Sequence, residues 1–236
     1  MKEVTIACEQ LTSLGLPPHP DKVKSWDTWK IINFIRNKGS TSSKILDVGC
    51  NGSPILPFLK NLGFTNLYGC DVDLNLRKRR LLRRIKNKLL QIDPDYLINE
   101  MLENKDNFFH LSKQDLEKTN YESNTFDFVT SLSVIEHGVN MKNYFSEMNR
   151  ILKKGGFLST STDYWPEKIV ATSNIYDRPS GDTIFDKNEI DNLVDIAKKN
   201  DLDLYEPIDF SFQDKVVKWK KTGNEYTFIF FCFQKN

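Results

Sequence analysis

The sequence has little of what metal sites, disulfide frameworks and membrane spans are built from. It contains four cysteines without a C-x-x-C pair and three histidines, no two of them at ligand spacing. No apolar run approaches the roughly 18 residues that cross a membrane, and the first residues lack the apolar core of a signal peptide. We therefore expect reduced thiols, no metal, no transmembrane segment and a cytoplasmic location.

Neither basic nor acidic residues are in excess. The 33 basic and 32 acidic residues give a formal net charge of +1, so nothing attracts the chain as a whole to nucleic acid or to a membrane. Its 236 residues, 39% of them hydrophobic, are enough for one domain with a true core. We expect a single domain over residues 1–236.

The most informative segment is residues 44–54, and it lacks the G-x-G-x-x-G pattern of dinucleotide sites. An apolar strand carries Asp47, a turn contains Gly49 and Gly52, and Ser53-Pro54 reads as the N-cap and first position of a helix. A carboxylate here repels a pyrophosphate, whereas it attracts the ammonium and sulfonium groups of S-adenosylmethionine. The alternative is an ordinary strand–turn–helix that contains an aspartate.

Four further segments follow in an order that alternates strands and helices. A second strand ends at Asp71, 24 residues after Asp47, where a carboxylate can accept hydrogen bonds from a ribose. A third strand, 108–111, precedes Asp115, and a fourth, 125–132, runs towards a helix. A helix end, a Gly155-Gly156 turn read as a left-handed C-cap, and a fifth strand complete the series.

Over residues 40–160 this series resembles the class I S-adenosylmethionine-dependent methyltransferases of the small-molecule type. The resemblance implies an α/β fold: a Rossmann-like, mostly parallel, seven-stranded sheet with one antiparallel strand, in three α/β/α layers. It also implies that the methionine moiety, the ribose and the adenine are bound, in turn, along the strand ends. The implied cofactor-binding residues are Asp47, Gly49, Cys50, Asn51, Gly52, Asp71, Val72, Asp115, Leu116 and Ser131. Asn51 stands where relatives often have glycine, and asparagine tolerates a left-handed backbone.

Outside that core, residues 1–40 are expected to form an N-terminal cap, irregular over 1–20 and helical over 25–37. Asp186 and Glu189 predict a capping box before a helix that ends near Lys199. A strand over 202–205 and a hairpin of 216–219 with 226–233 predict a late antiparallel pair.

Two segments exceed what the fold needs. Residues 74–107 are expected to be a basic helical insertion, because eight of the twelve residues over 77–88 are basic around an apolar stripe. That helix is either a solvated face or an anion-attracting surface for a nucleotide-linked sugar, a phospholipid-linked intermediate, a membrane surface or RNA. Residues 161–185 are expected to be a substrate lid, or else a self-packed surface loop. The lid residues expected to contact the acceptor are Tyr164, Trp165 and Tyr176 by stacking and Arg178 by charge.

Methyl transfer to a hydroxyl is helped by a general base, and three residues are candidates: His137 after the fourth strand, Asp163 after the fifth, and His19. The sequence predicts methylation of a small polar acceptor, on oxygen rather than nitrogen, with a sugar or glycan intermediate as the favoured substrate. One alternative is an RNA methyltransferase that uses the 77–88 helix, which could also touch a membrane surface. Another is a non-catalytic cofactor-binding subunit of a larger assembly.

Overall fold

The fold is built on one sheet whose strands lie in the order β3-β2-β1-β4-β5-β8-β6. The computed structural model describes residues 1–74, 109–174, 181–211, 214–219 and 222–236. The strands are β1 (Lys44–Val48), β2 (Asn66–Asp71), β3 (Phe109–Lys113), β4 (Phe126–Leu132), β5 (Leu152–Tyr164), β6 (Leu202–Leu204), β7 (Val217–Lys218) and β8 (Glu225–Lys235). The helices within these ranges are α1 (Lys2–Ser13), α2 (Lys24–Lys38), α3 (Ile55–Asn61), α4 (Met141–Ile151) and α5 (Lys187–Lys198).

Strand direction confirms the predicted topology. Neighbouring strands from β3 to β5 pair in parallel, whereas β8 lies antiparallel between β5 and β6. The two-residue β7 adds an eighth strand that pairs only with β8. Because the chain returns to start each parallel strand at the same edge, the carboxyl ends of β1, β2, β3, β4 and β5 meet at the opposite edge.

Helices cover both faces of the sheet, which gives the expected three layers. On one face, Ile31, Ile32 and Ile35 of α2 pack with α3 residues against β1 and β4. On the other face, Phe145 of α4 and Leu193 of α5 are buried in the largest core cluster. Both core clusters are apolar, so burial of these helix stripes is what holds the helices on the sheet.

The first residues are not irregular as predicted, because residues 2–13 form α1. Val4, Ala7 and Leu11 are buried at spacings of three and four, so one stripe of this helix faces the protein. The stripe is weak in sequence, since charged and polar residues surround it. Helix α1 packs against α2, and this tertiary contact decides its conformation.

Three local boundaries also differ from expectation. Helix α3 begins at Ile55, with Pro54 as its N-cap residue rather than its first position. Gly155 does adopt a left-handed φ of 75°, but helix α4 has already ended at Ile151, so this glycine lies inside β5. Strand β5 extends to Tyr164, which shortens the loop before α5 from the predicted 161–185.

The capping box at the start of α5 is confirmed. The Asp186 side chain accepts from the Glu189 backbone N–H, and the Glu189 side chain accepts from the Asp186 backbone N–H, both at 2.9 Å. This satisfies two N–H groups that the first turn of a helix leaves without intrahelical partners.

We expect Asp186→Ala to lower the free energy of unfolding by about 0.5–2 kcal/mol, the usual cost of losing an N-cap. Urea denaturation measures it. Asp186→Ser, which can still cap, should recover most of the loss. Asp191→Ala is the matched control, because this aspartate is an exposed partner of Lys187 on the same helix. Equal losses in both alanine variants would show that the cap contributes nothing.

Candidate active site

A cleft of about 480 Å³, partly open to solvent, lies beyond the carboxyl ends of β1, β2, β3 and β4. This is where open α/β sheets bind their ligands. Each of these strands lines the cleft with its last residues or with the residues that follow it. The lining residues are Gly49, Cys70, Asp71, Val72, Gln114, Leu116, Ser133, Val134, His137 and Val139.

The turn after β1 brings backbone, not side chain, to the cleft. Gly49 and Gly52 have φ of 69° and 92°, values that L side chains rarely adopt. A Cβ on Gly49 would lie 2.5 Å from Val134 Cγ2, so the turn also needs glycine for close packing. The Gly49 and Cys50 N–H groups both donate to the carbonyl oxygen of Cys70, at 2.8 and 3.1 Å, and this joins the turn to β2.

Asn51 does not take the left-handed backbone that the sequence comparison with glycine suggested. Among the described non-glycine residues, positive φ occurs only at Asn124, Ser133 and Asp201. Instead, the Asn51 backbone N–H donates to Asp71 Oδ2 at 3.1 Å, and its Nδ2 donates to the Asp73 carbonyl at 2.8 Å. Asparagine is useful here for its amide hydrogen bond.

Asp71 is the acidic residue that reaches the cleft. Its Oδ1 accepts from the Asp73 backbone N–H at 3.0 Å and its Oδ2 from Asn51, so the carboxylate is fixed in orientation. Each carboxylate oxygen has a second lone pair, which can accept from a ligand hydroxyl. Val72 lines the cleft beside it.

Asp47 lies beneath the turn and is not among the cleft-lining residues. Its side chain is fully buried in β1, and its Oδ1 accepts from Thr130 Oγ1 at 2.7 Å. Burial raises the pKa of Asp47 to about 7, against the lowering effect of the Ser53 and Thr130 hydroxyls. Asp47 is therefore not exposed in the cleft, and a contact between its side chain and the cofactor stays a prediction.

Residues after β3 line the part of the cleft where the resemblance implies the adenine. Leu116 is 5% exposed and lines the cleft with Gln114, whereas Asp115 is exposed and accepts from the Glu117 backbone N–H at 3.0 Å. The sequence prediction missed Gln114, whose backbone N–H donates to the Asp71 carbonyl at 3.0 Å. An adenine contact by Asp115 stays a prediction.

After β4, the residue at the cleft is Ser133 rather than the predicted Ser131. Ser131 is completely buried in the strand. Ser133 has a left-handed φ of 52°, and its backbone N–H donates to the Ser161 carbonyl at 3.0 Å. Such a conformation is strained for a non-glycine residue and is found most often at functional sites.

The donor set of the cleft suits S-adenosylmethionine. Asp71 is the only Asp, Glu, Lys or Arg among the lining residues of the described chain. Among the described lining residues, a nucleotide phosphate therefore meets no Lys or Arg, while a positively charged sulfonium nucleoside meets a carboxylate and an apolar wall of Val72, Leu116 and Val139. The glycine turn lets backbone N–H and carbonyl groups approach closely.

His137 is at the rim of this cleft and forms a pair that the sequence did not indicate. Its Nδ1 lies 2.9 Å from Asp182 Oδ1, and the two side chains are 22% and 4% exposed. Ser173 Oγ donates to Asp182 Oδ2 at 2.7 Å. Asp182 was missed because 45 residues separate it from His137, and no spacing pattern links a loop aspartate to a distant histidine.

The other two candidate bases lie elsewhere. Asp163 is 9% exposed within β5, and burial raises its pKa while a hydrogen bond with Tyr226 and the charge of Lys24 oppose the rise. His19 is in the turn before α2, where its Nδ1 accepts from the Asp21 backbone N–H at 3.0 Å. Neither residue lines the cleft, so of the three candidates the structure brings only His137 to it.

Of the predicted acceptor-stacking residues, neither Tyr164 nor Trp165 lines the cleft. Tyr164 is fully buried in the core beside Phe210, which argues against stacking on an acceptor. Trp165 is half-buried, with Lys215 Nζ 4.7 Å from its ring centroid. Tyr176, Arg178 and the basic 77–88 segment lie outside the described residues.

Three buried acids lie together behind His137. Burial raises the pKa of Asp27 to about 7 and that of Glu136 well above its usual range, with Asp163 as a like-charged neighbour of both. Thr162 Oγ1 donates to Glu136 Oε2 at 2.9 Å.

Among described residues, no group of three or more His, Cys, Asp or Glu is arranged to hold a metal ion. None of the described helices has the length and apolar character to cross a bilayer.

The raised pKa values of the buried Asp27 and Asp47 predict how the free energy of unfolding depends on pH. Asp27 and Asp47 have folded-state pKa values of about 7, whereas an unfolded aspartate titrates near 3.9, so the folded state holds more protons between these values. Their stabilising contribution is complete below about pH 4 and is lost as the pH rises through about 7. Urea denaturation at a series of pH values should therefore show stability falling from about pH 4.5 to 7.

Asp27→Asn should make that decline shallower by up to about 1.4 kcal/mol per pH unit, the contribution of one titrating group. Asp191→Asn, on the exposed face of α5, should leave the slope unchanged. An identical slope in Asp27→Asn and the unmodified protein would show that Asp27 does not titrate in this range.

Comparison with known proteins agrees with the site. Residues 46–160 match the family model described as a methyltransferase domain. The ubiquinone biosynthesis O-methyltransferase of Pelagibacter ubique (strain HTCC1062) is 26% identical over 200 residues, covering 82% of this chain and 75% of that protein. The mitochondrial ubiquinone biosynthesis O-methyltransferase of Dictyostelium discoideum is 29% identical over 127 residues, 50% of this chain but only 34% of that longer protein.

Among solved structures, phosphoethanolamine N-methyltransferase 2 of Haemonchus contortus in complex with S-adenosyl-L-methionine aligns with a TM-score of 0.58. The alignment covers 89% of this chain and 52% of that one at 17% identity, so it speaks for the fold. The domain match supports the reading of the cleft as the cofactor site of a methyltransferase.

Proposed function

The chain belongs to the class I S-adenosylmethionine-dependent methyltransferases, and we propose that it methylates an oxygen atom of a small polar acceptor. When bound, the cofactor supplies a methyl group on a positively charged sulfur. The chain itself has to hold the cofactor, admit the acceptor and receive the proton that an acceptor hydroxyl loses. Asp71, the glycine turn and Leu116 are the residues proposed to hold the cofactor.

The observation that carries this proposal is the position of His137 at the cleft rim, paired through Nδ1 with a buried carboxylate. An imidazole is suited to take a proton near neutral pH, and a general base typically contributes about 10²–10⁴-fold. With the cofactor bound, Nε2 of His137 would take the hydroxyl proton. The cofactor would supply the methyl group to the acceptor oxygen by breaking its methyl–sulfur bond, and would leave as the neutral thioether. The Asp182 carboxylate stabilises the imidazolium that results.

Oxygen is favoured over nitrogen because a hydroxyl has to lose its proton to become a good nucleophile, and the site offers a base. Both curated relatives are O-methyltransferases of ubiquinone biosynthesis by name, which agrees with oxygen as the acceptor atom. Those names do not favour a sugar or glycan intermediate. We therefore test sugar acceptors and phenolic acceptors side by side.

The test incubates the full chain with S-adenosylmethionine labelled on the methyl group and two acceptor panels, sugars with sugar nucleotides and hydroxylated aromatics. Label in an alkali-stable methyl ether supports the proposal and identifies the class. Label only on amines contradicts O-methylation. Mass spectrometry of the product assigns the atom.

The two alternatives from the sequence make different predictions. An RNA methyltransferase acting through residues 77–88, which lie outside the described residues, should bind RNA with a strong salt dependence that is lost when Arg79, Arg80, Arg83 and Arg84 are neutralised. A non-catalytic subunit should bind the cofactor but transfer methyl groups only after a partner from the cell extract is added.

A further inference from the structure

We propose that Asp182, supported by Ser173, is a positioning residue that fixes His137 in the tautomer with its hydrogen on Nδ1. This deepens the proposed function, on which it rests for its catalytic meaning. The contact itself can be tested without an acceptor.

The backbone fixes where the Asp182 carboxylate lies. The Asp182 backbone N–H donates to the Ser173 carbonyl at 3.1 Å, which joins the two arms of the loop after β5. The next N–H, from Thr183, donates to the Glu136 carbonyl at 2.8 Å. Since Glu136 immediately precedes His137, the loop is attached to the residue beside the base, and Asp182 cannot shift far from the imidazole.

The side chain is fixed as well. Oδ1 faces His137 Nδ1 at 2.9 Å, and Oδ2 accepts from Ser173 Oγ at 2.7 Å, so different partners hold the two oxygens. With a side chain only 4% exposed, the carboxylate meets little competing water. A hydrogen bond between a charged and a neutral partner is strong under these conditions.

The chemistry of the pair gives the tautomer. An ionised carboxylate only accepts hydrogen bonds, so the hydrogen between the two groups belongs to Nδ1. In the neutral ring the lone pair is then on Nε2, the nitrogen that has to take the acceptor proton. The same carboxylate lies next to the positive charge that appears on the ring during transfer. An aspartate acts in this way on the histidine of serine proteases.

The loop that follows β5 therefore contributes to the base through two described residues, Ser173 and Asp182. The tautomer of His137 depends on these contacts from residues distant in sequence.

The experiment is ¹⁵N NMR of the histidine side chains in the full chain, labelled on histidine and held at about pH 8.5, well above the ordinary imidazole pKa. The chain has three histidines, so His137→Gln assigns the signal of interest. We expect the unmodified protein to show Nδ1–H and an unprotonated Nε2 for His137. A predominant Nε2–H form overturns the proposal.

Asp182→Asn provides the second measurement. The amide can either accept or donate, so the tautomer should become mixed, and kcat should fall at least about tenfold while the Kd of S-adenosylmethionine stays the same. Ser173→Ala retains the carboxylate, so it should keep the tautomer and lower kcat only about 2- to 10-fold. Asp191→Asn is the charge-matched control. An unchanged Nδ1–H tautomer in Asp182→Ala, which leaves no side-chain acceptor for Nδ1–H, overturns the proposal.

The ¹⁵N spectrum of the unmodified protein tests the proposed tautomer of His137 even if Asp182→Asn fails to fold. Failure of the proposed function looks different. If His137→Gln retains full turnover while the spectra behave as expected, the pairing stands and His137 is not the base.

Discussion

His137→Gln should lower the rate of methyl transfer at least about 100-fold while leaving cofactor affinity within about twofold. The reason is that a general base contributes about 10²–10⁴-fold to such a step, whereas glutamine cannot take a proton near neutral pH. Single-turnover assays with labelled cofactor and the acceptor class found above measure the rate. Isothermal titration calorimetry with S-adenosylmethionine measures the affinity.

Matched variants decide which of the three candidate bases, His137, His19 or Asp163, takes the proton. His110→Gln is the control, since His110 is exposed on β3 and stacks on Tyr68 away from the cleft. His19→Gln and Asp163→Asn should keep more than about a third of the activity of the folded protein. A large loss in either, with His137→Gln fully active, would move the base to that residue.

Asp71→Ala should weaken S-adenosylmethionine binding by about 10- to 150-fold, because a hydrogen bond to a charged group is worth about 1.5–3 kcal/mol. Two effects contribute. The proposed acceptor for the ribose hydroxyls is lost, and the backbone N–H groups of Asn51 and Asp73 lose the oxygens that hold them. Calorimetry on the full chain measures the change.

Asp71→Asn separates these two effects. The amide oxygen can keep one of the backbone hydrogen bonds but carries no charge, so its affinity should lie between those of the unmodified protein and Asp71→Ala. The unfolding temperature without cofactor reports damage to the turn alone. Unchanged affinity in both variants would mean that the ribose lies elsewhere.

Asp163 was a candidate base in the sequence because of its position alone. A carboxyl group after the fifth strand is at the correct end of the sheet, and its pKa is raised, as expected of a catalytic acid or base. Its side chain, however, is turned into the protein, where Tyr226 holds it. A perturbed pKa here reports burial among Asp27 and Glu136 rather than contact with the cleft.

Local chemistry was enough to predict the frame of the fold. The strand ending in Asp71, the glycines at 49 and 52 and the Asp186 capping box depend on residues close in sequence, and they are confirmed. Parallel strands joined by helices leave few topologies open, and the resemblance implied the Rossmann-like, mostly parallel sheet. Helix α1 was missed because its stripe of Val4, Ala7 and Leu11 is buried only by tertiary packing, with residues of α2 and β8 among its neighbours.

The sequence by itself determined which chemistry the carboxyl end of the sheet can do. It supplies a glycine turn and Asp71 for a cationic nucleoside, and His137, which follows the fourth strand, as a candidate base. Only the tertiary structure decided which side chains face that edge. It placed Asp47 and Tyr164 inside, brought Ser133 and Gln114 to the cleft, and set Asp182 against His137 across 45 residues. The reason is physical: backbone hydrogen bonds and periodicity act between near neighbours, whereas side-chain pairing across loops is settled by packing that no local pattern encodes.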